Sequence, residues 1–303
     1  MKLTGLHFLL TYQCSFECDH CFVWGSPWQT GVMTLGQVRN ALHQAQDLGS
    51  IGSVYFEGGE PFLYYPILLK AVQEAVQMGF QVGIVSNAYW AVTVEDAQEW
   101  LRPFAGLIQD LSVSSDLYHY SEPLNCQSQN ANQAAHKLGI PTGTISIAQP
   151  ETPGASTAVG QLPLEECGVM YRGRAVEKLA RRVPGKSWAQ FIVCPNEDLR
   201  EPGRVHLDPF GYLHICQGIS IGNLFLTPLR EICASFDPDT HPILGPLLEG
   251  GPSGLVSRYA LQHGETYADA CHLCYAARLD LRKRFPDSLL PDQMYGVVEA
   301  LVT

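Results

Sequence analysis

Cys14, Cys18 and Cys21 stand in the pattern Cys-x3-Cys-x2-Cys, directly after an apolar run from Leu3 to Thr11. Thiolates are ligands of zinc and of iron–sulfur clusters alike. Three of them on one short loop reach three corners of a four-iron cubane and leave the fourth iron open, as a catalytic metal site requires. A closed structural zinc site needs a fourth ligand nearby, and His20, between Cys18 and Cys21, can supply it. The spacing favours the cluster and leaves zinc as the alternative.

The next apolar run, Ser53 to Phe56, leads into Glu57-Gly58-Gly59-Glu60-Pro61. Paired glycines let backbone approach a ligand without a side chain in the way. Glu60 offers a carboxylate to a cationic amine. Alone the segment is a turn, but behind this cysteine loop it becomes specific. Together the two segments resemble the radical S-adenosylmethionine (radical SAM) superfamily, over roughly residues 3–175. The resemblance implies a 4Fe-4S cluster on Cys14, Cys18 and Cys21. It also implies S-adenosylmethionine on the open iron and the Gly58-Gly59-Glu60 strip against the methionine end. It departs at His20, where the family usually has an aromatic residue; the planar imidazole can still lie beside adenine. Asn87, at the end of the third strand, and Ser114 and Asp116, at the end of the fourth, look like the family's polar cofactor contacts. The plainer reading of these three is strand-end capping and turn chemistry. The implied reaction begins with one electron from the cluster. S-adenosylmethionine then splits into methionine and a 5′-deoxyadenosyl radical, which takes a hydrogen atom from substrate.

A second set, Cys194, Cys216 and Cys271-x2-Cys274, brackets a hairpin signal and precedes a helical stretch. Four thiolates suit zinc or an iron–sulfur cluster, and spacing alone does not separate them. Here too there is a resemblance. Asp208-x2-Gly211, Cys216-Gln217-Gly218 and Ile221-Gly222-Asn223-Leu224 are similar to the twitch or SPASM appendage of radical SAM enzymes. Tyr171-Arg172-Gly173-Arg174-Ala175 is similar to the Gly-Arg-Ala segment before it. No cysteine follows Cys274, so the resemblance implies the twitch version, with one auxiliary 4Fe-4S cluster; structural zinc is the alternative.

Cys126, Cys167 and Cys233 belong to neither set and read as small buried hydrophobes. The sharper alternative is a hydrogen-atom donor, of the kind used by the peptide epimerases this chain resembles, with Cys167 the better candidate. His119, in Asp116-x2-His119, is a candidate general base, since histidine titrates near neutrality; a loop histidine in a hydrogen bond is the plainer reading. The other histidines carry no pattern.

These residues need a scaffold. Strand signals at Leu3–Thr11, Ser53–Phe56, Gln81–Ser86, Leu111–Val113 and Thr144–Ile147 alternate with helix signals. Thr34 is positioned as an N-cap, and Thr93 begins a third helix containing Ala97, Trp100 and Leu101. Such alternation predicts parallel strands with crossover helices. Val169–Tyr171 is read as a sixth strand, Arg174–Arg181 as a helix, and Gln149–Pro163 as a loop. Arg204–Leu207 and Tyr212–Cys216 flank Asp208-Pro209-Phe210-Gly211, a hairpin. The expected fold is α/β, a partial (β/α)6 TIM-like barrel with a small C-terminal α+β cluster-binding domain. The expected division is 1–186 as radical SAM core and 187–303 as auxiliary domain.

The chain of 303 residues is 46% hydrophobic, which excludes disorder, and its net charge of −11 argues against a nucleic-acid partner. Arg282-Lys283-Arg284 reads as a solvated helix face. No apolar run reaches the ~18 residues of a membrane span. The apolar start lacks a signal-peptide cleavage site, and ten cysteines outside a disulfide pattern fit a reducing compartment, so a cytoplasmic location is expected. The expected partners are a peptide or small-molecule substrate and a one-electron reductant such as flavodoxin or ferredoxin. The first strand begins at once, so a leader-binding domain is not expected. That leaves a separate recognition protein, a leaderless peptide or a small molecule. The reading from another class is a non-catalytic iron–sulfur or zinc protein that carries electrons or binds a partner.

Overall fold

A computed structural model describes residues 1–119, 126–151 and 167–298. The loop read at Gln149–Pro163 lies outside the described residues except for 149–151. In chain order the elements are β1 (Leu3–Thr11), α1 (Leu35–Leu48), β2 (Ser53–Gly58), α2 (Tyr65–Gln77), β3 (Gln81–Ser86), α3 (Val94–Leu101), β4 (Asp110–Ser114), α4 (Cys126–Lys137) and β5 (Thr142–Ile145). Then come α5 (Arg174–Lys178), β6 (Lys186–Ser187), β7 (Gly203–Leu207), β8 (Tyr212–Cys216), β9 (Ile219–Asn223), α6 (Leu229–Ser235), α7 (Leu244–Tyr259), β10 (Thr266–Tyr267) and α8 (Ala270–Leu281). Thr34 closes a capping box on α1, and Thr93 caps α3 through the Asp96 N–H.

Eight strands form one sheet in the order β5-β4-β3-β2-β1-β7-β8-β9. Neighbours from β5 to β7 are parallel, and the two pairs beyond β7 are antiparallel. Six parallel strands are therefore present, but the sixth is not at Val169–Tyr171. That segment forms no strand. Beside β5 the ladder is reduced to one bridge, Ile147 to Cys167. The sixth parallel strand is β7, the first arm of the hairpin, which pairs with β1 although it lies beyond residue 186. The open sheet belongs to the partial-barrel α/β class that the alternation predicted.

Alternation along the strands explains the two faces. Leu6, Phe8, Val54, Phe56, Ile84 and Leu111 are buried against the helices. The opposite face carries His7, Tyr55, Glu57, Ser112 and His206, all only partly buried. The space enclosed by the curved sheet is therefore polar. A second apolar core joins Leu9, Tyr12 and Trp24 to α7 and α8. Asp208 fixes the hairpin to β1. Its carboxylate accepts from the Tyr12 hydroxyl at 2.9 Å and from the backbone N–H groups of Phe210 and Tyr212, each at 2.9 Å. No helix among the described residues is long and apolar enough to cross a membrane.

Candidate cysteine-lined site

The first cysteine loop leaves the C-terminal end of β1, the end at which barrels of this class carry their chemistry. Cys14 and Cys18 are buried and Cys21 is partly so. N–H groups point at the sulfurs: Gly25 at Cys21 Sγ, 3.2 Å; Phe16 at Cys14 Sγ, 3.5 Å; and the Asn87 side chain at Cys14 Sγ, 3.5 Å. Arg174 clasps the loop from behind, donating to the Cys18 and Gly25 carbonyls at 2.7 and 2.8 Å. Its neighbour Gly173 has φ +60°, and a Cβ there would meet the Cys21 carbonyl oxygen at 2.6 Å.

Gly58 and Gly59 serve this loop directly. A Cβ on Gly58 would lie 2.4 Å from the Thr11 carbonyl oxygen, and one on Gly59 would lie 2.1 Å from that of Gln13. The glycines are thus required for the strip to run against the backbone that carries the cysteines. Their approach to a ligand is not needed to account for them. The Glu60 carboxylate is fully buried and engaged. It accepts from the backbone N–H groups of Phe62 (3.0 Å) and Asn87 (2.8 Å) and from the Ser86 hydroxyl (3.0 Å). Burial pushes its pKa up to about 7 against these hydrogen bonds. Glu60→Ala leaves three buried donors unpartnered and is expected to cost about 3–5 kcal/mol, read as a lowered denaturation midpoint. A loss below ~1 kcal/mol would contradict this role.

The remaining cofactor candidates gather on the same side. Asp116 is the hub. His119 Nδ1 lies 2.8 Å from it, and the backbone N–H groups of Tyr118 and Ile147 donate to it at 3.0 and 3.3 Å. Burial pushes this carboxyl up, but His119 and His20 more than offset that and hold it well below the usual carboxylate range. His20 Nε2 is 3.5 Å from Asp116 Oδ2 and is buried without a hydrogen-bond partner. Ser114 is buried at the end of β4. Asn87 spends its amide on Cys14 and Ser15. Cys167 is buried at the bridge beside β5, and Cys233 is buried on α6. Cys126, expected to be buried, is exposed at the start of α4, where the helix turns its other face to the core.

The four later cysteines line one cavity between β8, α8 and the 194–199 segment, together with Arg172 and Arg278. The segment carrying Cys194 is pinned by the kink of α7: the Ser253 N–H donates to the Phe191 carbonyl at 3.0 Å, and a Cβ on Gly251 would clash with Ile192. Arg172 reaches Cys216 Sγ at 3.5 Å and Glu197 at 3.2 Å; the Asn196 amide reaches Cys271 Sγ at 3.1 Å. The Nε of both arginines and Asn196 Oδ1 are buried without partners.

Both donor sets fit a cationic metal core. Burial pushes the Cys14 and Cys274 thiols up to about 12, and it raises Cys18, Cys194 and Cys271 as well. Neighbouring sulfurs of the same set add to each shift, so each set converges. Buried thiols of this kind ionise when a metal supplies the counter-charge. Among the described residues, the trios whose ligand atoms all lie within 4.8 Å of one another are His7–Glu57–His206 and His20–Asp116–His119, and neither cysteine set contains one. A tetrahedral zinc holds its sulfurs only about 3.8 Å apart. No three sulfurs of either set stand mutually within 4.8 Å. The first of these trios had no sequence signal beyond three ionisable residues at inward strand positions.

Residues 8–120 match the Radical SAM superfamily model. YydG of Bacillus subtilis (strain 168), named for peptide biosynthesis, is 28% identical over 252 residues, 79% of this chain and 77% of that protein. The S-adenosylmethionine-dependent nucleotide dehydratase of Fibrobacter sp. (strain UWH6) is 23% identical over 128 residues, 40% of this chain and 36% of that protein. Among solved structures, BtrN in complex with AdoMet and 2-DOIA superposes with a TM-score of 0.50 at 14% identity, covering 83% of this chain and 89% of that one, and so shares the fold.

Proposed function

We propose that this chain is a radical SAM enzyme that modifies a peptide, or failing that a small metabolite, with a catalytic 4Fe-4S cluster on Cys14, Cys18 and Cys21 and an auxiliary one on Cys194, Cys216, Cys271 and Cys274. The observation that carries it is the first loop: Cys14, Cys18 and Cys21, buried or partly so, with N–H groups aimed at sulfur, at the C-terminal end of β1 in the stretch that matches the Radical SAM superfamily model. Relationship to YydG favours the peptide. When bound, the cluster and S-adenosylmethionine supply a radical that takes a hydrogen atom from substrate.

The chain's own residues hold and shield. Gly25, Phe16 and Asn87 direct N–H groups at sulfur, which lowers the electron density there. Arg174 fixes the loop. Gly58, Gly59, His20, Ser114 and Asp116 border the space where S-adenosylmethionine would lie. Cys167 and His119 remain the candidates for hydrogen or proton delivery. Residues 1–186, with β7 completing the parallel sheet, form the catalytic core, and the rest of 187–303 the auxiliary region. A reductant such as flavodoxin or ferredoxin delivers the electron.

Anaerobic reconstitution tests this. Wild type is expected to hold about eight irons per chain and, with dithionite and S-adenosylmethionine, to release 5′-deoxyadenosine. Four irons beside one tight zinc would remove the auxiliary cluster from the proposal. No 5′-deoxyadenosine would remove the enzyme.

A further inference from the structure

The polar face of the sheet holds a constellation that the cofactor chemistry does not use. His7 on β1, Glu57 on β2 and His206 on β7 come from three adjacent strands, because β1 lies between β2 and β7. His7 Nδ1 lies 3.1 Å and His206 Nε2 3.0 Å from the same carboxylate oxygen, Glu57 Oε1. Glu57 Oε2 has no partner among the described residues and is not buried. Burial would push this carboxyl up, but the two imidazoles more than offset it and hold it well below the usual carboxylate range. Burial in turn lowers His206, and the trio leaves a carboxylate with one oxygen fixed by two imidazoles and the other presented on the polar face of the sheet.

Its surroundings are aromatic and rigid. The His7 ring stacks on Tyr55 at 4.8 Å. Tyr55 lies flat over Gly83, where a Cβ would come within 2.2 Å of the ring. The Phe22 ring lies 6.0 Å from His206. Phe22 follows Cys21, and over it, at 5.2 Å, sits Arg172, which reaches Cys216. The chain of contacts His206–Phe22–Arg172–Cys216 therefore links the trio to the neighbourhood of both cysteine sets, near which a substrate must lie if the proposed function holds. Aromatic rings around an anionic carboxylate make a site for a cation.

We infer that Glu57, oriented by His7 and His206, anchors a protonated amine of the substrate inside the barrel. This rests on the proposed function for the substrate's place, not for the site's chemistry. A divalent metal on the same trio is the competing occupant. Hydrogen bonds favour the amine: both imidazoles already converge on one oxygen, and neither has a partner on its other ring nitrogen among the described residues, as a metal-bound histidine usually does. The net charge of −11 also favours a cationic ligand.

The test uses the reconstituted protein and two probes, N-acetyl-lysine methylamide and its uncharged analogue N-acetyl-norleucine methylamide, with binding read by saturation-transfer NMR. Wild type is expected to bind the lysine probe and to prefer it at least tenfold. Glu57→Gln, which keeps an acceptor for both histidines, is expected to erase that preference; Glu57→Asp, which withdraws the carboxylate, should weaken it. Equal binding of the two probes by wild type, an unchanged preference in Glu57→Gln, or no binding of either probe overturns the inference. So does one Zn²⁺ per chain bound by wild type and lost in Glu57→Gln, which would make the trio a metal centre. Failure of the proposed function is read separately, as absence of 5′-deoxyadenosine from wild type.

Discussion

Replacing Cys14, Cys18 and Cys21 together by alanine is expected to abolish 5′-deoxyadenosine formation while about four irons per chain remain bound. The loop itself should survive the change. Its backbone is held by Cys14 N–H to Ser26 at 3.0 Å and by the two Arg174 bonds, none of which uses sulfur. The second cysteine set lines its own cavity and loses no ligand. The variant therefore separates ligand loss from unfolding. Anaerobic turnover with dithionite, measured beside iron content, decides the matter. S-adenosylmethionine cleavage by the triple variant would refute the enzyme proposed here. Loss of all iron would show that the two sites do not fill independently.

Removing one ligand of the second set should act differently. Cys271→Ala is expected to shed the auxiliary iron and to open the C-terminal region to trypsin. The sequence alone suggests a small core there, but the structure shows a shared and substantial one, extending from Leu9 through α7 and α8. The vulnerability lies in charge. Arg172 and Arg278 are buried against the cavity with unpartnered Nε atoms, and Arg278 is only 1% exposed. Arg172 keeps Glu197 at 3.2 Å, but Arg278 has no carboxylate partner among the described residues; four thiolates around a cluster would balance it, and three protonated thiols do not. An uncompensated buried cation costs several kcal/mol, which a local opening of α8 relieves. Trypsin cleavage after Arg278 within minutes, in Cys271→Ala and not in wild type, is the expected result. Resistance equal to wild type would show that the auxiliary site only relays electrons. Arg278→Met in the same background should restore part of the thermal stability, read by denaturation midpoint because the substitution removes the trypsin site itself.

The chemistry at the ends of β1 and β2 was legible because it is local. Cysteine spacing, the capping threonine and strand alternation all lie within short windows, and the first five strands formed close to where their signals lay. Two things were not legible. The hairpin's pairing with β1 joins residues about two hundred positions apart, and no local pattern selects that partner. Val169–Tyr171 has a strand's composition, yet the ladder there ends at Cys167 because Tyr171 N–H turns instead to Asp269 on the cap of α8. The histidine–glutamate trio was missed for the same reason as the hairpin. His7 interrupts the apolar β1, Glu57 ends β2, and His206 sits in β7. Only sheet order makes them neighbours. Gly58 and Gly59 lie against the backbone of Thr11 and Gln13, and Glu60 is held by three buried donors. Their strict geometry is explained by the backbone they lie against.

Trp24 lies in the left-handed region, φ 57°, unusual for so bulky a residue. It stays there because its indole N–H donates to the Tyr275 hydroxyl at 3.0 Å and Arg174 lies over its ring at 5.4 Å. Tyr275 is the residue after Cys274, and Trp24 is three residues past Cys21. One hydrogen bond therefore ties the two cysteine sets mechanically. The consequence is mechanical: an opening of α8, as expected for Cys271→Ala, also lets go of Trp24 and so loosens the far end of the loop that carries Cys14, Cys18 and Cys21.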